Sequence, residues 1–336
     1  MLDIPTIRKQ LLNVDRFDDE ILAIIESENW LNIWVPKNYN GLGLSFSEGL
    51  ARLQHVAKID GSLGWLVTLC SGANYFSRNL KPTIAKELFS SQKACFGGSG
   101  MLGGTAEKQG DYYLIHGLWH YATGAPYLTH FTLNAKIIEN GVELLDENGE
   151  PQFLSFVLDE SQVEMISTWQ SMGMVATSSH SFQVNKQLVH EDYSFVYNYF
   201  YSNDLVEQVP FRIFADLTLL VNYIGMAEHL LEKSLKHFTF ALQDELHQYL
   251  ISSTLKVTSY AKKIEKLLIS KTSISEALEK EIHQFGEDVV QQLTQYIIVL
   301  YPQMGIQASK INNEINQIFR DFFTATQHRN FRKEMV

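Results

Sequence analysis

The sequence is poor in cysteine and has no excess of basic residues, and each shortage excludes a class of protein. Only Cys70 and Cys95 occur among 336 residues. They lack the paired spacing of a disulfide framework or a structural zinc site, so we expect a reducing, cytoplasmic setting and no metal. The formal net charge of -11 argues against a nucleic-acid partner, because nucleic-acid binders gather Lys and Arg to replace phosphate counterions.

Long apolar segments are also missing. The N-terminus has no apolar stretch behind basic residues, and the longest apolar runs, such as residues 296–301, are far too short to span a bilayer. We therefore expect neither secretion nor membrane insertion. Apolar residues make up 45% of the chain and charged residues 19%, which is typical of a globular protein with a large buried core.

The apolar spacing changes twice along the chain. Between about residues 18 and 89 it has the period of short helices, with breaks at Pro36 and at the Asp-Gly-Ser of residues 60–62. Between about residues 96 and 200, short stretches rich in Tyr, Phe, Val, Ile and Thr are separated by Gly, Asn and Asp, which predicts strands. Helical spacing returns from Pro210 onward.

This order predicts the fold class. The spacing after Pro210 predicts four long helices, near residues 211–241, 253–270, 278–300 and 311–325. An order of helices, strands and helices argues against a doubly wound fold, in which strand and helix alternate throughout. We predict an α+β chain with a helical domain at residues 1–90, a central β-domain at 91–205 and a helical bundle at 206–336.

Four segments, in order along the chain, carry distinctive motifs. Residues 33–65 contain Val-Pro, then Gly-x-Gly, then Asp-Gly-Ser before a helix. Residues 110–135 contain Trp-x-Tyr-x-Thr-Gly-Ala, and residues 169–195 contain Gly-Met-x-x-Thr-x-Ser. Residues 318–328 contain Arg-Asp followed by a His.

Together these motifs resemble the acyl-CoA dehydrogenase family, and the fourth resembles its branch of two-component flavin-dependent monooxygenases, the aromatic hydroxylases. The resemblance implies an acyl-CoA dehydrogenase-like fold in which the central β-domain is a barrel and the C-terminal region is a four-helix bundle. It also implies a flavin cofactor, FAD or FMN, and a homodimer or homotetramer.

The second motif predicts a surface for the flavin ring. Alternate residues of a strand share a face, so Trp119, Tyr121 and Thr123 would present two rings beside a hydroxyl, just before a turn at Gly124. An isoalloxazine ring needs an apolar wall and hydrogen-bond donors near its N5 and O4 atoms. Thr123 is therefore a candidate catalytic donor. The alternative is that Trp119 and Tyr121 belong to the core of the β-domain.

The resemblance implies that four residues border the flavin and that a fifth, Ser99, lies close by. The four are Trp119, Tyr121, Thr123 and Gly124. Two further residues of the third motif, Thr177 and Ser178, would serve either the flavin or the backbone of a turn.

His328 is the other candidate catalytic residue. A neutral imidazole with an unperturbed pKa of roughly 6.5 can take a proton from a phenol-like substrate or help to protonate a flavin hydroperoxide. The alternative is a solvated residue near the chain terminus. Arg320 and Asp321 match the hydroxylase motif, and we expect them to form an ion pair that fixes the last helix.

Two departures from the family narrow the function. The dehydrogenase branch uses a carboxylate followed by Gly-Thr in the C-terminal bundle, and residues 302–336 contain no such stretch. The family also carries an Arg for the FAD pyrophosphate on an early bundle helix, where this chain has Lys233, Lys236 and His237. Weak flavin binding or the use of FMN are therefore open alternatives.

Two further patterns are set aside. Gly98, Gly100 and Gly103 form a G-x-G-x-x-G, but a dinucleotide-binding fingerprint must open a helix, and here strands are predicted. His116 and His120 would be about 13 Å apart in a strand, which is too far for one metal ion.

We therefore predict a flavin-dependent oxidoreductase, and prefer a monooxygenase that uses reduced flavin from a separate reductase on a small aromatic or cyclic substrate. One alternative is an acyl-CoA dehydrogenase. The other is a non-catalytic scaffold or binding protein that has lost tight flavin binding.

Overall fold

The structure, a computed structural model that describes residues 2–90, 93–201, 205, 208–235 and 241–332, begins with five helices. They are α1 (Ile4–Gln10), α2 (Asp19–Ser27), α3 (Phe46–Ile59), α4 (Gly61–Asn74) and α5 (Pro82–Leu88). Side-chain caps fix the starts of α1 to α4. Ser45 and Glu48 form a capping box at α3, and Asp60 accepts a hydrogen bond from the Leu63 nitrogen at α4.

An eight-stranded sheet follows. Its strands are β1 (Phe96–Gln109), β2 (Tyr112–Ala122), β3 (His130–Glu139), β4 (Val142–Glu143), β5 (Phe153–Asp159), β6 (Glu164–Ile166), β7 (His180–His190) and β8 (Ser194–Phe195). The strand order is β6-β7-β2-β1-β3-β5-β8, and β4 pairs with β3. Only β1 and β3 are parallel among the described pairs.

The barrel that the resemblance implied is not confirmed. Within the described residues, the edge strands β6 and β8 do not pair with each other, so the sheet stays open. Both edges are short, at three and two residues. Short edge strands leave few backbone groups for closing a sheet.

Four helices complete the described chain, as predicted. They are α6 (Phe211–Leu235), α7 (Ala241–Ile269), α8 (Glu276–Leu300) and α9 (Glu314–Ala325). Helix α7 begins earlier than predicted, because the buried residues Leu246 and Leu250 extend its apolar face toward the N-terminus.

Helix α6 is buried along most of its length and packs on both helical regions. For example, Gln54 of α3 donates a hydrogen bond to Glu228 of α6 at 2.9 Å. The division into domains at 1–90, 91–205 and 206–336 stays a prediction. In the part of the chain that the structure covers, no helix has both the length and the apolarity needed to cross a membrane.

The G-x-G-x-x-G of residues 98–103 lies inside strand β1. The predicted strand is confirmed, and the helix that a dinucleotide-binding turn requires does not follow the motif within β1.

Candidate functional site

Strand β2 contains a β-bulge at the predicted flavin surface. Trp119 pairs with Phe182 of β7, and Ala122 pairs with His180, so residues 120 and 121 together oppose one residue of β7. Tyr121 takes a left-handed conformation with φ 65 to make the bulge. A bulge shifts the alternation of side chains by one residue.

The bulge separates the two rings that were expected to share a face. Trp119 is fully buried, stacks on Phe182 at 5.5 Å between ring centroids, and donates its indole N–H to the Asn134 carbonyl at 2.9 Å. Tyr121 is 66% exposed. The prediction of a shared face is therefore wrong, because the extra bulge residue sends Trp119 into the core and Tyr121 toward solvent.

Tyr121 faces a loop between β6 and β7. Its ring makes an edge contact with Trp169 at 6.5 Å between centroids, and the Trp169 indole N–H donates to the Met174 carbonyl at 3.0 Å. His180 holds the start of this loop, because its Nδ1 accepts hydrogen bonds from the backbone nitrogens of Thr168 and Trp169. Tyr121 and Trp169 thus form an aromatic surface at the end of β2.

Replacing Tyr121 by glycine should show whether the tyrosine ring serves the stability of the fold or the binding of flavin. The side chain is exposed and the backbone is left-handed, so glycine relieves a conformation that costs other residues about 1–2 kcal/mol and loses little packing. We expect an unfolding free energy no lower than that of the parent, measured with denaturant, and a weaker affinity for flavin. A large loss of stability would show that the ring supports the fold instead.

A chain of hydroxyl groups lies beside this aromatic surface. The Thr123 and Ser179 hydroxyl oxygens are 3.1 Å apart, and those of Ser179 and Thr177 are 2.9 Å apart. The Thr177 hydroxyl donates to the Met174 carbonyl at 2.7 Å. All three hydroxyl-bearing residues are buried.

Proton counting fixes the direction of this chain. A carbonyl oxygen only accepts hydrogen bonds, so Thr177 donates its single hydroxyl proton to the Met174 carbonyl. Ser179 must then donate to Thr177, and Thr123 must donate to Ser179. The Thr123 oxygen is left with acceptor capacity only, so the donor role expected of Thr123 is wrong for this hydrogen-bond arrangement.

Backbone contacts join the strand end to the same loop. Gly124, at φ 78, donates its N–H to the Thr177 carbonyl at 2.7 Å. Ser178 is buried and left-handed, with φ 44, and hydrogen-bonds to Tyr127. Burial raises the pKa of Tyr127, so its phenol stays protonated. The structure therefore brings Thr123, Gly124, Thr177 and Ser178 together.

Ser99 lies on the neighbouring strand β1, buried, with its hydroxyl accepting from the Met101 nitrogen at 3.4 Å. No described contact joins it to the hydroxyl chain. It pairs with Leu133 of β3 at a shift of register, where the next pair is formed by Leu102 and Asn134.

His328 follows α9 and caps the short 3-10 turn Arg329–Phe331. Its ring meets the edge of Trp65 of α4 at 5.5 Å between centroids. His328 is an exposed residue, and the protein atoms around its ring lower the pKa of the imidazole by desolvation. The imidazole therefore favours its neutral form beside Trp65 while one side of it stays open to solvent.

Helix α4 connects His328 to the strand end. Trp65 touches the His328 ring, and Cys70, further along α4, approaches the Thr123 carbonyl at 3.8 Å. The segment after His328 is anchored by Asn330, which donates to Asp216 of α6 at 2.8 Å.

Arg320 and Asp321 do not pair with each other in the described structure. Arg320 donates to the Met172 carbonyl at 2.8 Å, while Asp321 accepts from the Met174 nitrogen at 2.6 Å. The prediction of an ion pair is wrong, because both side chains reach backbone groups of the loop. They still fix α9, by clamping it to residues 172–174.

Sequence reasoning missed several residues that shape this site. The Gly-Met motif and the Arg-Asp motif did mark the contact between the loop and α9, since its two sides lie in these motifs. No pattern marked Trp65 as the wall behind His328, or Trp169 and His180 as the support of the loop. These contacts join segments far apart in sequence.

The described residues offer little support for a metal site or for a basic site that would hold the FAD pyrophosphate. Among the described residues, no group of three or more His, Cys, Asp or Glu residues is placed to hold a metal ion. His120 bonds to the Ser181 hydroxyl at 2.9 Å. Lys233 forms a salt bridge with Glu314, and Lys236 and His237 lie outside the described residues.

Two clefts, of about 240 and 620 Å³, lie away from this site. Both run along α3 and share His55 and Lys58. Neither is lined by a predicted site residue.

Comparisons with known proteins agree with the fold. No family model matches the chain. A stretch of 164 residues is 29% identical to the indole-3-acetate monooxygenase of Pseudomonas putida, covering 48% of this chain and 40% of that protein. The match therefore spans less than half the length of this curated relative.

Solved structures match over nearly the whole chain. The 3-HSA hydroxylase from Rhodococcus sp. RHA1 has a TM-score of 0.89 at 14% identity, covering 98% of this chain and 91% of that chain. XiaF from Streptomyces sp., in complex with FADH2 and glycerol, has a TM-score of 0.86 at 17% identity, covering 98% and 89%. The predicted α+β, acyl-CoA dehydrogenase-like fold and the resemblance to the two-component monooxygenases are confirmed.

Proposed function

We propose that this chain is a flavin-dependent monooxygenase that binds reduced flavin at the end of β2 and oxygenates a small aromatic or cyclic substrate. A separate reductase supplies the reduced flavin, which is FAD or FMN. The names of the relatives support this reading, since they are monooxygenases and hydroxylases.

The direction of the hydroxyl chain carries the proposal. Reduced isoalloxazine has an N–H at N5, whereas oxidised isoalloxazine has a lone pair there. Thr123 offers an acceptor at the end of the chain, beside the exposed ring of Tyr121. An acceptor satisfies the N5–H of the reduced ring and leaves the oxidised ring without a donor.

The other site residues fit a planar ring at this place. Tyr121 supplies an accessible aromatic face, and the Gly124 and Thr177 backbones fix the strand end beside it. Trp119 lies in the core behind the strand, so we assign it a supporting role. Ser99, Thr177 and Ser178 stay proposed neighbours of the flavin.

The flavin would supply the oxygen activation when bound, and the protein would supply proton control. Burial lowers the pKa of His328 beside Trp65, so the ring is neutral near pH 7. Its Nδ1 accepts from the Asn330 nitrogen at 3.3 Å, so the neutral ring carries its proton on Nε2 and donates from there to a substrate oxygen. The ring takes a proton from a substrate hydroxyl or ring N–H at Nδ1, in exchange for the Asn330 contact. The aromatic wall favours a flat, apolar substrate.

Two further parts of the proposal concern assembly and location. We propose a homodimer or homotetramer, since exposed apolar residues such as Ile306 and Ile311 lie on the helical region. Cys70 and Cys95 are free thiols, which suits a reducing cytoplasm.

The proposed function is tested by an oxygen-labelling experiment. The protein is supplied with NADH, a flavin reductase, FAD or FMN, catalase and ¹⁸O₂, with indole-3-acetate and simple phenols as trial substrates. We expect one ¹⁸O atom in a product. Flavin oxidation that leaves no ¹⁸O in a product of any trial substrate would argue for the scaffold reading.

The serine in the middle of the hydroxyl chain offers a sharper prediction. In Ser179→Ala the Thr123 proton loses its acceptor and becomes free to meet the oxidised ring. We expect the preference for reduced over oxidised flavin to fall about tenfold, in line with one hydrogen bond. Ser181→Ala, two residues along β7 and outside the chain, is the matched control and should keep the preference.

A further inference from the structure

Two buried carboxyl groups meet where α4, α9 and the loop of residues 172–178 come together. Asp321 is 2% exposed and Asp60 is 6% exposed. Ser62 bonds to both, with its backbone N–H on Asp60 and its hydroxyl donating to Asp321 Oδ2 at 3.5 Å. The Asp321 carboxyl also packs against the residue that follows Asp60, since a Cβ atom built on Gly61 would lie 3.1 Å from Asp321 Oδ2, and the charge of Asp60 reaches Asp321.

Each carboxyl ties different segments together. Asp60 caps α4 through the Leu63 nitrogen at 2.9 Å, and accepts from Gln317 of α9 at 2.9 Å. Asp321 accepts from the Met174 nitrogen at 2.6 Å. Met174 is also the residue whose carbonyl receives the hydroxyl chain. The two carboxyls therefore connect α4, α9 and the 172–178 loop.

Among the described residues no salt bridge reaches either carboxyl, and the charge of Arg320 lowers the pKa of Asp321 less than burial and Asp60 raise it. The charged groups that face it are Arg320 and Glu314, both on α9, and the loop presents only backbone there. The Arg320 guanidinium is turned to Met172 and Asn316. Two full negative charges in this place would repel each other in a medium of low polarity.

The physical consequence is separate ionisation of the two acids. Burial, followed by the charge of Asp60, raises the pKa of Asp321 above its ordinary range. Burial also raises the pKa of Asp60, against its hydrogen bonds from backbone groups and Gln317. Interacting carboxyls of this kind lose their protons in two steps.

We propose that Asp60 and Asp321 share one proton in the folded protein and that this proton keeps the 172–178 loop docked on α9. Both are positioning residues for the loop. When the last proton leaves, two uncompensated charges draw water into the contact and Met174 is released. The link to flavin rests on the proposed function, whereas the shared proton does not.

The loop itself gives the first test. Amide hydrogen exchange of residues 171–178 is measured on the flavin-free protein from pH 6 to pH 9, after correction for the intrinsic pH dependence of exchange. In the parent we expect protection to fall tenfold or more. In Asp321→Asn and Asp60→Asn only one ionisable group remains, so protection should persist to pH 9.

Stability gives the second test, with a definite sign. A folded acid with a raised pKa keeps a proton that the unfolded chain has already released above about pH 4. The unfolding free energy of the parent therefore falls as pH rises from about 4 up to the raised pKa. One bound proton changes the unfolding constant about tenfold per pH unit. In Asp321→Asn only the buried Asp60 keeps a raised pKa, so the fall in unfolding free energy should end at a lower pH than in the parent.

Asp216→Asn is the matched control, because Asp216 is also buried, with a pKa raised by burial, yet it contacts His283 and Asn330 instead of the loop. It should leave loop exchange as in the parent. Equal exchange and equal pH slopes in the parent and Asp321→Asn would overturn the shared proton. Intact pH behaviour of the loop with no flavin binding would instead refute the proposed function alone.

Discussion

His328→Ala is expected to lower turnover with reduced flavin by about a hundredfold or more, which is the usual contribution of a proton-transferring side chain. The affinity for reduced flavin should change little, because the His328 ring touches Trp65 and not the strand end. The separation is measured by turnover in the labelled-oxygen assay and by anaerobic flavin titration of the same preparation.

The pH profile makes this prediction specific. Burial lowers the pKa of His328, so its neutral, proton-accepting form is present at neutral pH and is lost only as pH falls through that lowered value. The parent should show this acidic limb and the variant should lack it. His116→Ala, which removes an exposed imidazole of β2, is the control and should match the parent. Full turnover in His328→Ala would remove the residue from the mechanism.

Gly173→Ala is expected to displace the loop that carries Met174 and Thr177. A Cβ atom on Gly173 would lie 2.2 Å from the carbonyl carbon and oxygen of Arg320, and 2.5 Å from the Asp321 nitrogen. These are backbone atoms of a helix and cannot move alone. We expect a loss of about 1–3 kcal/mol in unfolding free energy and at least a tenfold weaker affinity for reduced flavin.

Gly100→Ala is the matched control for this loss. A Cβ atom on Gly100 has no other atom within 4 Å, so stability and flavin affinity should both be kept. The two variants are compared by denaturant unfolding and by flavin titration. If Gly173→Ala binds flavin as the parent does, the docked loop is not needed for the site.

The order of the regions was predictable because it depends on local spacing. Helical periods after Pro210 and strand-like composition between about residues 96 and 200 are local signals. The start of α7 was predicted too late, because its first turns carry polar residues between Leu246 and Leu250. The barrel was expected from the resemblance. Whether the sheet closes depends on pairing between its two edge strands, which local spacing does not predict.

The site was predictable only where its residues are neighbours in sequence. Alternation placed Trp119 and Tyr121 on one face, but the left-handed backbone of Tyr121 breaks that alternation. A tyrosine in this conformation has no sequence signature, unlike a glycine or asparagine. The bulge is what decides which ring is accessible.

Contacts across the chain could not be predicted either. Asp321 looked like the partner of Arg320, its neighbour, yet its oxygen is committed to Met174. His328 resembled a terminal solvated residue until α4 placed Trp65 against it. In both cases tertiary packing, which the sequence pattern does not record, sets the chemistry of the side chain.

An anaerobic titration decides whether the end of β2 selects reduced flavin. Purified protein is titrated with FAD and FMN, each oxidised and dithionite-reduced, and binding is followed by absorbance and fluorescence. We expect tighter binding of the reduced form, with a smaller preference in Ser179→Ala. Tight binding of oxidised FAD would contradict it in favour of a dehydrogenase, and binding of neither form would leave a scaffold without cofactor.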